Sequence, residues 1–104
     1  MPESVYLQAT LHVRQGKMGL FNATLTEMTP ALEAEGWTLL GAYVNAIGRL
    51  NTVVDLWQVP DANSVQSTLA AVANHPDMRR WATALAEAVE EETIQLMVKT
   101  PYSP

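Results

Sequence analysis

The spacing of apolar residues switches several times along this chain, and the order of the switches limits the folds that it can adopt. Apolar and polar residues alternate over 4–13, with the period of two that is typical of a β-strand. Intervals of three and four residues then predict an amphipathic helix over 17–35. The predicted buried stripe of this helix is Met18, Phe21, Leu25, Met28 and Leu32. Pro30 should kink the helix or split off its last turn, and Gly36 should end it.

The middle of the chain predicts a β-hairpin. Residues 37–46 and 52–59 are rich in β-branched, aromatic and aliphatic side chains, and a short loop with Gly48 separates them. One face of the hairpin is predicted to carry Leu40, Ala42, Val44, Val54 and Leu56, and the other Leu39, Tyr43, Val53, Trp57 and Val59. Both faces are therefore too apolar to lie in water.

The second half of the chain predicts a broken helical segment and a last strand. Asp61 or Asn63 can cap the first helix, and residues 74–77 interrupt it. Pro76 suits the first position of the next helix. The predicted buried residues are Val65, Leu69 and Val72 in the first helix, and Met78, Trp81, Leu85 and Val89 in the second. We interpret Glu90, Glu91 and Glu92 as a solvated run before a strand through Ile94, Leu96 and Val98.

The resulting order of elements is β-α-β-β-α-β, the ferredoxin-like α+β arrangement. It predicts a four-stranded antiparallel sheet with the helices on one face, in a single domain over residues 1–104. The face without helices is an interaction surface if it is apolar. The simplest cover is the same face of a second copy, and two sheets packed in this way form a barrel-like homodimer.

The composition excludes several classes of function. Six basic residues against eleven acidic ones give a net charge of −5, which disfavours nucleic acid and anionic membranes as partners. The chain has no cysteine, which excludes disulfides, thiolate metal sites and cysteine nucleophiles. The amino terminus lacks the pattern of a secretory leader, and no apolar run approaches the ~20 residues of a membrane span. We therefore expect a cytoplasmic protein.

The sequence has no motif that predicts a metal or a cofactor. Two distant histidines do not define a metal site, and no glycine-rich nucleotide-binding pattern or nucleophile elbow is present. We therefore expect no metal and no cofactor.

Several short motifs give the chain a resemblance to a known family. They are Val5-Tyr6, Gly16-Lys17, the run from Gly48 to Asp61, Pro76, Trp81 and the closing run from Thr100 to Pro104. In the longest of these runs, glycine and asparagine precede a hydrophobic strand, leucine-tryptophan and proline-aspartate. In these motifs the chain resembles the NIPSNAP family, a branch of the dimeric α/β-barrel proteins. The resemblance implies a homodimer with a cleft between sheet and helices in each subunit, and it implies no settled activity.

The chain departs from the family pattern inside that cleft. The pattern has an arginine and a tyrosine two residues apart on the first strand, where this chain has Ala9 and Leu11. It often has a histidine where Asp55 stands. The resemblance therefore implies a more apolar cleft here, without the family's polar groups on the first strand.

A few residues are candidates for chemistry. If the hairpin turns near Arg49, Tyr43 faces Asp55 across the two strands, and Gly41 leaves room beside Trp57. Asp55 would then be a general base in an apolar pocket. Tyr43 would orient its carboxylate, and Trp57 would form the floor of the pocket. The alternative is a structural Asp55–Tyr43 pair in the barrel or the dimer interface, and a slip of one residue would abolish the pair.

His12 is the second candidate for acid–base chemistry. It could act at the rim of the cleft as a general base, with Arg14 beside it as a contact for an anionic group. The alternative is a histidine at a sheet edge or an interface. We expect His75 only to begin a helix.

These residues and the resemblance together lead to two hypotheses of function. The first is a homodimer that binds a small hydrophobic molecule in its cleft, and the resemblance to dimeric α/β-barrel proteins implies that cofactor-free acid–base chemistry such as that of monooxygenases, isomerases or cyclases is possible there. The second is a homodimeric module that binds an apolar ligand or another protein and catalyses no reaction. Converging polar groups in the cleft would favour the first function, and a purely aliphatic lining the second.

Overall fold

The structure, a computed structural model, describes residues 4–104 and contains one four-stranded antiparallel sheet with three helices. The elements in chain order are β1 (Val5–Val13), α1 (Met18–Glu33), β2 (Thr38–Val44), β3 (Thr52–Val59), α2 (Ala62–Ala73), α3 (Met78–Ala88) and β4 (Val89–Met97). The strand order β2-β3-β1-β4 confirms the predicted ferredoxin-like fold. Residues 1–3, on which part of the expectation about a secretory leader depends, lie outside the described residues.

The two faces of the sheet differ because side chains alternate along each strand. The helix-covered face carries the buried residues Leu7, Ala9, Leu11 and Val13 of β1 and Val53, Asp55, Trp57 and Val59 of β3. The open face carries the residues between them, which are Tyr6, Gln8, Thr10 and His12 of β1 and Val54, Leu56 and Gln58 of β3. No helix covers these seven partly exposed side chains.

Helix α1 supplies one wall of the core. Phe21, Met28 and Leu32 are buried against the sheet, which confirms most of the predicted stripe. Pro30 does not split the helix, because it lies only three residues before the helix ends at Glu33. Gly36 follows with a φ of 95°, in the left-handed region that glycine adopts without strain, and its N–H donates to the carbonyl of Glu33.

A β-bulge in β2 changes which face of the sheet the following side chains occupy, so the prediction for this part of the hairpin is wrong. Leu39 pairs with Trp57, but Gly41 pairs with Leu56, so that Leu40 is one residue too many for a regular ladder. Beyond this bulge, Ala42 lies opposite Asp55 and Val44 opposite Val53. Ala42 and Val44 therefore lie on the helix-covered face, and Tyr43 lies on the open face, which is the reverse of the prediction.

The helices α2 and α3 pack less extensively than predicted. Asp61 caps α2 through a hydrogen bond from the N–H of Ser64 at 2.7 Å, in a complete capping box. Thr68 and Val72 are buried, whereas Leu69 is about half exposed, which corrects its predicted burial. Pro76 precedes α3 instead of starting it, because the helix begins at Met78. None of the helices formed by residues 4–104 has the length and apolar character needed to cross a membrane.

The three consecutive glutamates lie inside the last strand and not before it. β4 follows α3 directly and runs from Val89 to Met97, so that Val98 is outside the strand. An edge strand tolerates this composition because one of its sides meets solvent. Glu92 pairs with Leu11, which places the Glu92 side chain on the helix-covered face.

Candidate functional site

A cleft of about 320 Å³ lies between helix α1 and the half of the sheet formed by β2 and β3. The helix contributes Met18, Phe21, Asn22, Leu25, Thr26 and Thr29, and the sheet contributes Leu39, Ala42, Tyr43, Val44, Val53 and Asp55. The lining is mostly apolar. Asp55 is the only Asp, Glu, Lys, Arg or His side chain in it.

Asp55 lies in the middle of β3 between two alanines. Ala9 is its partner on β1, and Ala42 is its partner on β2. Neither methyl group fills the space beside the carboxylate or can donate a hydrogen bond to it. The Asp55 side chain is only 6% exposed, and no hydrogen bond joins it to any side chain or backbone group in residues 4–104. Buried carboxylates are usually paired, so this arrangement needs an explanation.

The environment of Asp55 favours its protonated form. Burial raises the pKa of Asp55 from 3.8 to about 6, because the carboxylate loses water and gains no partner. The negative charge of Glu92, on the same face of the sheet, is the smaller of the two causes of this rise in pKa. Desolvation also raises the pKa of Glu92. A carboxyl with a pKa near 6 can hold or accept a proton close to neutral pH.

The structure does not form the predicted Tyr43–Asp55 pair. Tyr43 pairs with Val54, and its side chain is 63% exposed on the open face. The ring lies over Gly41, where a Cβ atom would collide with it. The space above this glycine thus holds the tyrosine, and the prediction that it gives room to Trp57 is wrong.

Trp57 is part of the core and does not line the cleft. It pairs with Leu7 and Leu39, and its ring meets that of Trp37 edge-on with centroids 5.6 Å apart. The predicted pocket floor is therefore wrong. Ala42, Val53 and Leu39 form the floor around Asp55 instead.

His12 and Arg14 do not converge on the cleft. His12 is on the open face, where its Nδ1 lies 3.1 Å from the hydroxyl of Thr52 and its neighbour on β4 is Glu91. Arg14 follows the end of β1, and its guanidinium donates to the carbonyl of Val89 at 3.4 Å. The structure therefore separates both residues from Asp55, which lies on the helix-covered face.

A larger groove of about 640 Å³ lies between α1 and the α2–α3 corner, but the charged groups at its centre, Glu27, Arg80 and Asp77, already pair with one another. Glu27 accepts hydrogen bonds from Arg80 at 2.6 Å and from the indole N–H of Trp81 at 2.9 Å. Arg80 also pairs with Asp77 at 3.4 Å. The smaller cleft is therefore the better candidate, because its carboxylate has no partner.

No group of three or more His, Asp or Glu side chains in the described part of the chain is arranged to hold a metal ion. Besides Asp55, the polar side chains in the cleft lining are the hydroxyls of Thr26 and Thr29 and the amide of Asn22, whereas Tyr43 borders the cleft with its ring on the open face. The arrangement is suited to hydrogen bonding and proton transfer.

Two features of the site were not predicted from the sequence. The wall formed by Asn22, Thr26 and Thr29 flanks the apolar stripe of α1, which by itself indicates only core packing. Ala42 reaches the cleft because of the bulge at Leu40. A glycine inside a strand is a recognised sign of a bulge, so Gly41 was the available signal.

Comparison with known families gives one match over most of the chain. The NIPSNAP family model matches residues 6–104. No match was found among the curated proteins.

Solved structures share the fold at low sequence identity. A NIPSNAP family protein from Agrobacterium tumefaciens is 21% identical with a TM-score of 0.83, and the match covers 97% of each chain. A NIPSNAP-like domain protein from Burkholderia xenovorans is 17% identical with a TM-score of 0.81, covering 98% of this chain and 90% of that one. SnoaB, a cofactor-independent oxygenase from Streptomyces nogalater, is 13% identical with a TM-score of 0.71, covering 99% of each chain. At these identities the likeness concerns the fold alone.

Proposed function

This chain belongs to the NIPSNAP family, and we propose that it binds a small, mainly apolar molecule in the cleft between α1 and the sheet. Asp55 is the group that fixes the ligand by a hydrogen bond. One observation carries the proposal: a carboxylate that is 6% exposed and lacks a partner in residues 4–104 faces a cleft of about 320 Å³. This volume is at the lower end of the range for small-molecule sites, and a few polar groups in an apolar lining are typical of them.

The proposal includes acid–base chemistry without a cofactor. A general base works best when its pKa is near the operating pH, and burial raises the pKa of Asp55 to about 6. The fold is compatible with such chemistry, since SnoaB is a cofactor-independent oxygenase. In our proposal Asp55 is the base, and His12 and Arg14 have no part in the reaction because they lie outside the cleft.

We expect a bulky side chain at position 42 to block the cleft. Ala42→Phe places a ring directly opposite Asp55, where the present methyl group leaves space. With benzyl alcohol as the probe, amide NMR shifts of the cleft residues should change in the parent protein and lose at least about nine-tenths of that change in the variant.

Ala82→Phe is the matched control, because Ala82 lies on α3 at an exposed position outside the cleft lining. This control should retain the response to benzyl alcohol. Equal responses in the two variants, or no response in the parent protein, would contradict binding in this cleft. The second result would favour a protein-binding module without a ligand.

We further propose that the protein forms a homodimer, in which the open faces of the two sheets pack against each other. At one end of this face, Tyr6, Leu40, Leu56 and Val98 line a shallow depression of about 330 Å³. Tyr43 is also exposed on this face, whose remaining residues on β1 and β3 are mostly polar. Exposed apolar surface of this kind is stabilised by contact with a partner. A two-fold axis gives each copy the same complementary surface.

A single charge on the open face should dissociate the dimer. Leu56→Glu would bury a carboxylate between the two sheets, and we expect the dissociation constant to rise by at least about a hundredfold. Analytical ultracentrifugation measures the change. Leu69→Glu on α2 is the control, because Leu69 is about half exposed away from the sheet. A monomeric parent protein, or the same weakening in both variants, would show that the open face is not the interface.

A further inference from the structure

The cleft lacks any positive charge to balance its acidic groups. No Lys, Arg or His side chain lines it, and Asp55 is its one ionisable acid. Glu92 adds a second negative charge on the same face of the sheet, close enough to raise the pKa of Asp55. An anionic ligand would therefore meet only repulsion, and would have no cation to bind.

The threonines of the cleft wall act as acceptors. The hydroxyl of Thr26 donates to the carbonyl of Asn22 at 2.7 Å, and that of Thr29 donates to the carbonyl of Leu25 at 2.7 Å. Because their hydrogens are already used, these hydroxyls offer only lone pairs to a ligand. Ionised Asp55 is also only an acceptor. The Asn22 amide is the one lining group on α1 that can donate a hydrogen bond, so acceptors prevail and a ligand that donates hydrogen bonds complements this cleft better than one that only accepts them.

From these contacts, and resting on the function proposed above, we infer that the ligand is a small apolar amine that binds as its ammonium ion, paired with Asp55. The ammonium would supply the hydrogen bonds and the charge that the buried carboxylate lacks. The apolar body of the ligand would contact Phe21, Leu25 and Leu39. A neutral alcohol of the same shape keeps the apolar contacts and loses the ion pair, and a carboxylate adds repulsion.

The inference gives the binding a defined pH dependence. The ammonium pairs with the ionised form of Asp55, so protonation of Asp55 competes with binding. Glu92 on β4 is the charged group that acts on Asp55, and α1 contributes no titratable side chain to the cleft lining. Affinity for an amine should therefore rise between about pH 5 and about pH 7.5, whereas affinity for the neutral alcohol should not.

Three probes of one shape test the inference by calorimetry: benzylamine, benzyl alcohol and benzoate. At about pH 7.5, benzylamine should bind at least about tenfold more tightly than benzyl alcohol, and benzoate least of all. In Asp55→Asn the amine should lose its advantage, while the alcohol still binds. Glu90→Gln removes the same charge at an exposed position of β4, and it should keep the preference for the amine.

The outcomes separate this inference from the proposed function. If benzyl alcohol or benzoate binds as tightly as benzylamine and Ala42→Phe abolishes that binding, the cleft is a ligand site and the ligand class is wrong. A preference for the amine that persists in Asp55→Asn also overturns the inference. If none of the three probes binds, both the inference and the proposed function fail.

Discussion

When the pH is raised from about 4 to about 8, the free energy of unfolding of Asp55→Asn is expected to gain about 2.5 kcal/mol on that of the parent protein. The figure follows from a folded pKa of about 6 against an ordinary value of 3.8. A raised pKa means that folding favours the protonated acid. The stability from this group is fully present below about pH 3.8 and is lost as the pH rises through about 6. Asparagine does not ionise, so the variant avoids this loss.

The test compares the stability difference between Asp55→Asn and the parent protein at the two pH values. Urea unfolding of both proteins at the two pH values gives the free energies of unfolding, and titration of other groups cancels between them. Protein concentration should be matched, because dimerisation shifts apparent stability. Glu90→Gln serves as the control and should follow the parent protein at both pH values. If the stability difference between Asp55→Asn and the parent protein does not change with pH, Asp55 is not desolvated.

Replacement of Trp81 by alanine should cost about 3–5 kcal/mol, because it leaves a large cavity beneath α3. Trp81 is 2% exposed, and the imidazole of His75 stacks on its ring with centroids 4.5 Å apart. The indole N–H also donates to Glu27 and so connects α3 with α1. The free energy of unfolding of a small domain is only about 5–15 kcal/mol in total, so the variant should unfold at a markedly lower urea concentration.

A pair of Trp→Phe variants separates packing from hydrogen bonding. Trp81→Phe keeps most of the ring but loses the donor to Glu27, whereas the indole N–H of Trp37 is buried and has no partner in residues 4–104. We therefore expect Trp81→Phe to be the more destabilising of the two in urea unfolding. If Trp37→Phe is equally destabilising, the hydrogen bond to Glu27 adds nothing. If Trp81→Ala costs less than about 1 kcal/mol, Trp81 is not a core residue.

The periodic spacing of apolar residues was sufficient to predict the fold, because each strand and helix must bury its apolar face in the core. The alternation along β1 and the stripe on α1 face the same core, so that any other register would expose Leu7 or Phe21. The order of these elements then leaves few topologies. The glutamates of β4 carried no such signal, because an edge strand does not need an apolar residue at every second position.

The site was only partly predictable. Asp55 was identified because the predicted hairpin puts its carboxylate in an apolar pocket, and the structure places it in a cleft. Tyr43 was wrongly assigned as the partner of Asp55, because the residues of β2 are compatible with either face of the sheet. Tyr43 and Ala42 exchange faces when one residue is added to the ladder, and Gly41 was the one local sign of that extra residue.

The surplus residue in β2 has a consequence for how relatives of this chain should be compared. If the same chain held its bulge nearer the loop, Tyr43 would turn toward α1, and the cleft would gain a phenol without any change of composition. Two homologues with similar residues in this hairpin would therefore present different side chains to the cleft if their bulges lay at different positions. An alignment of residue types does not show this difference. It becomes visible only when the residues are compared by the face of the sheet on which they lie.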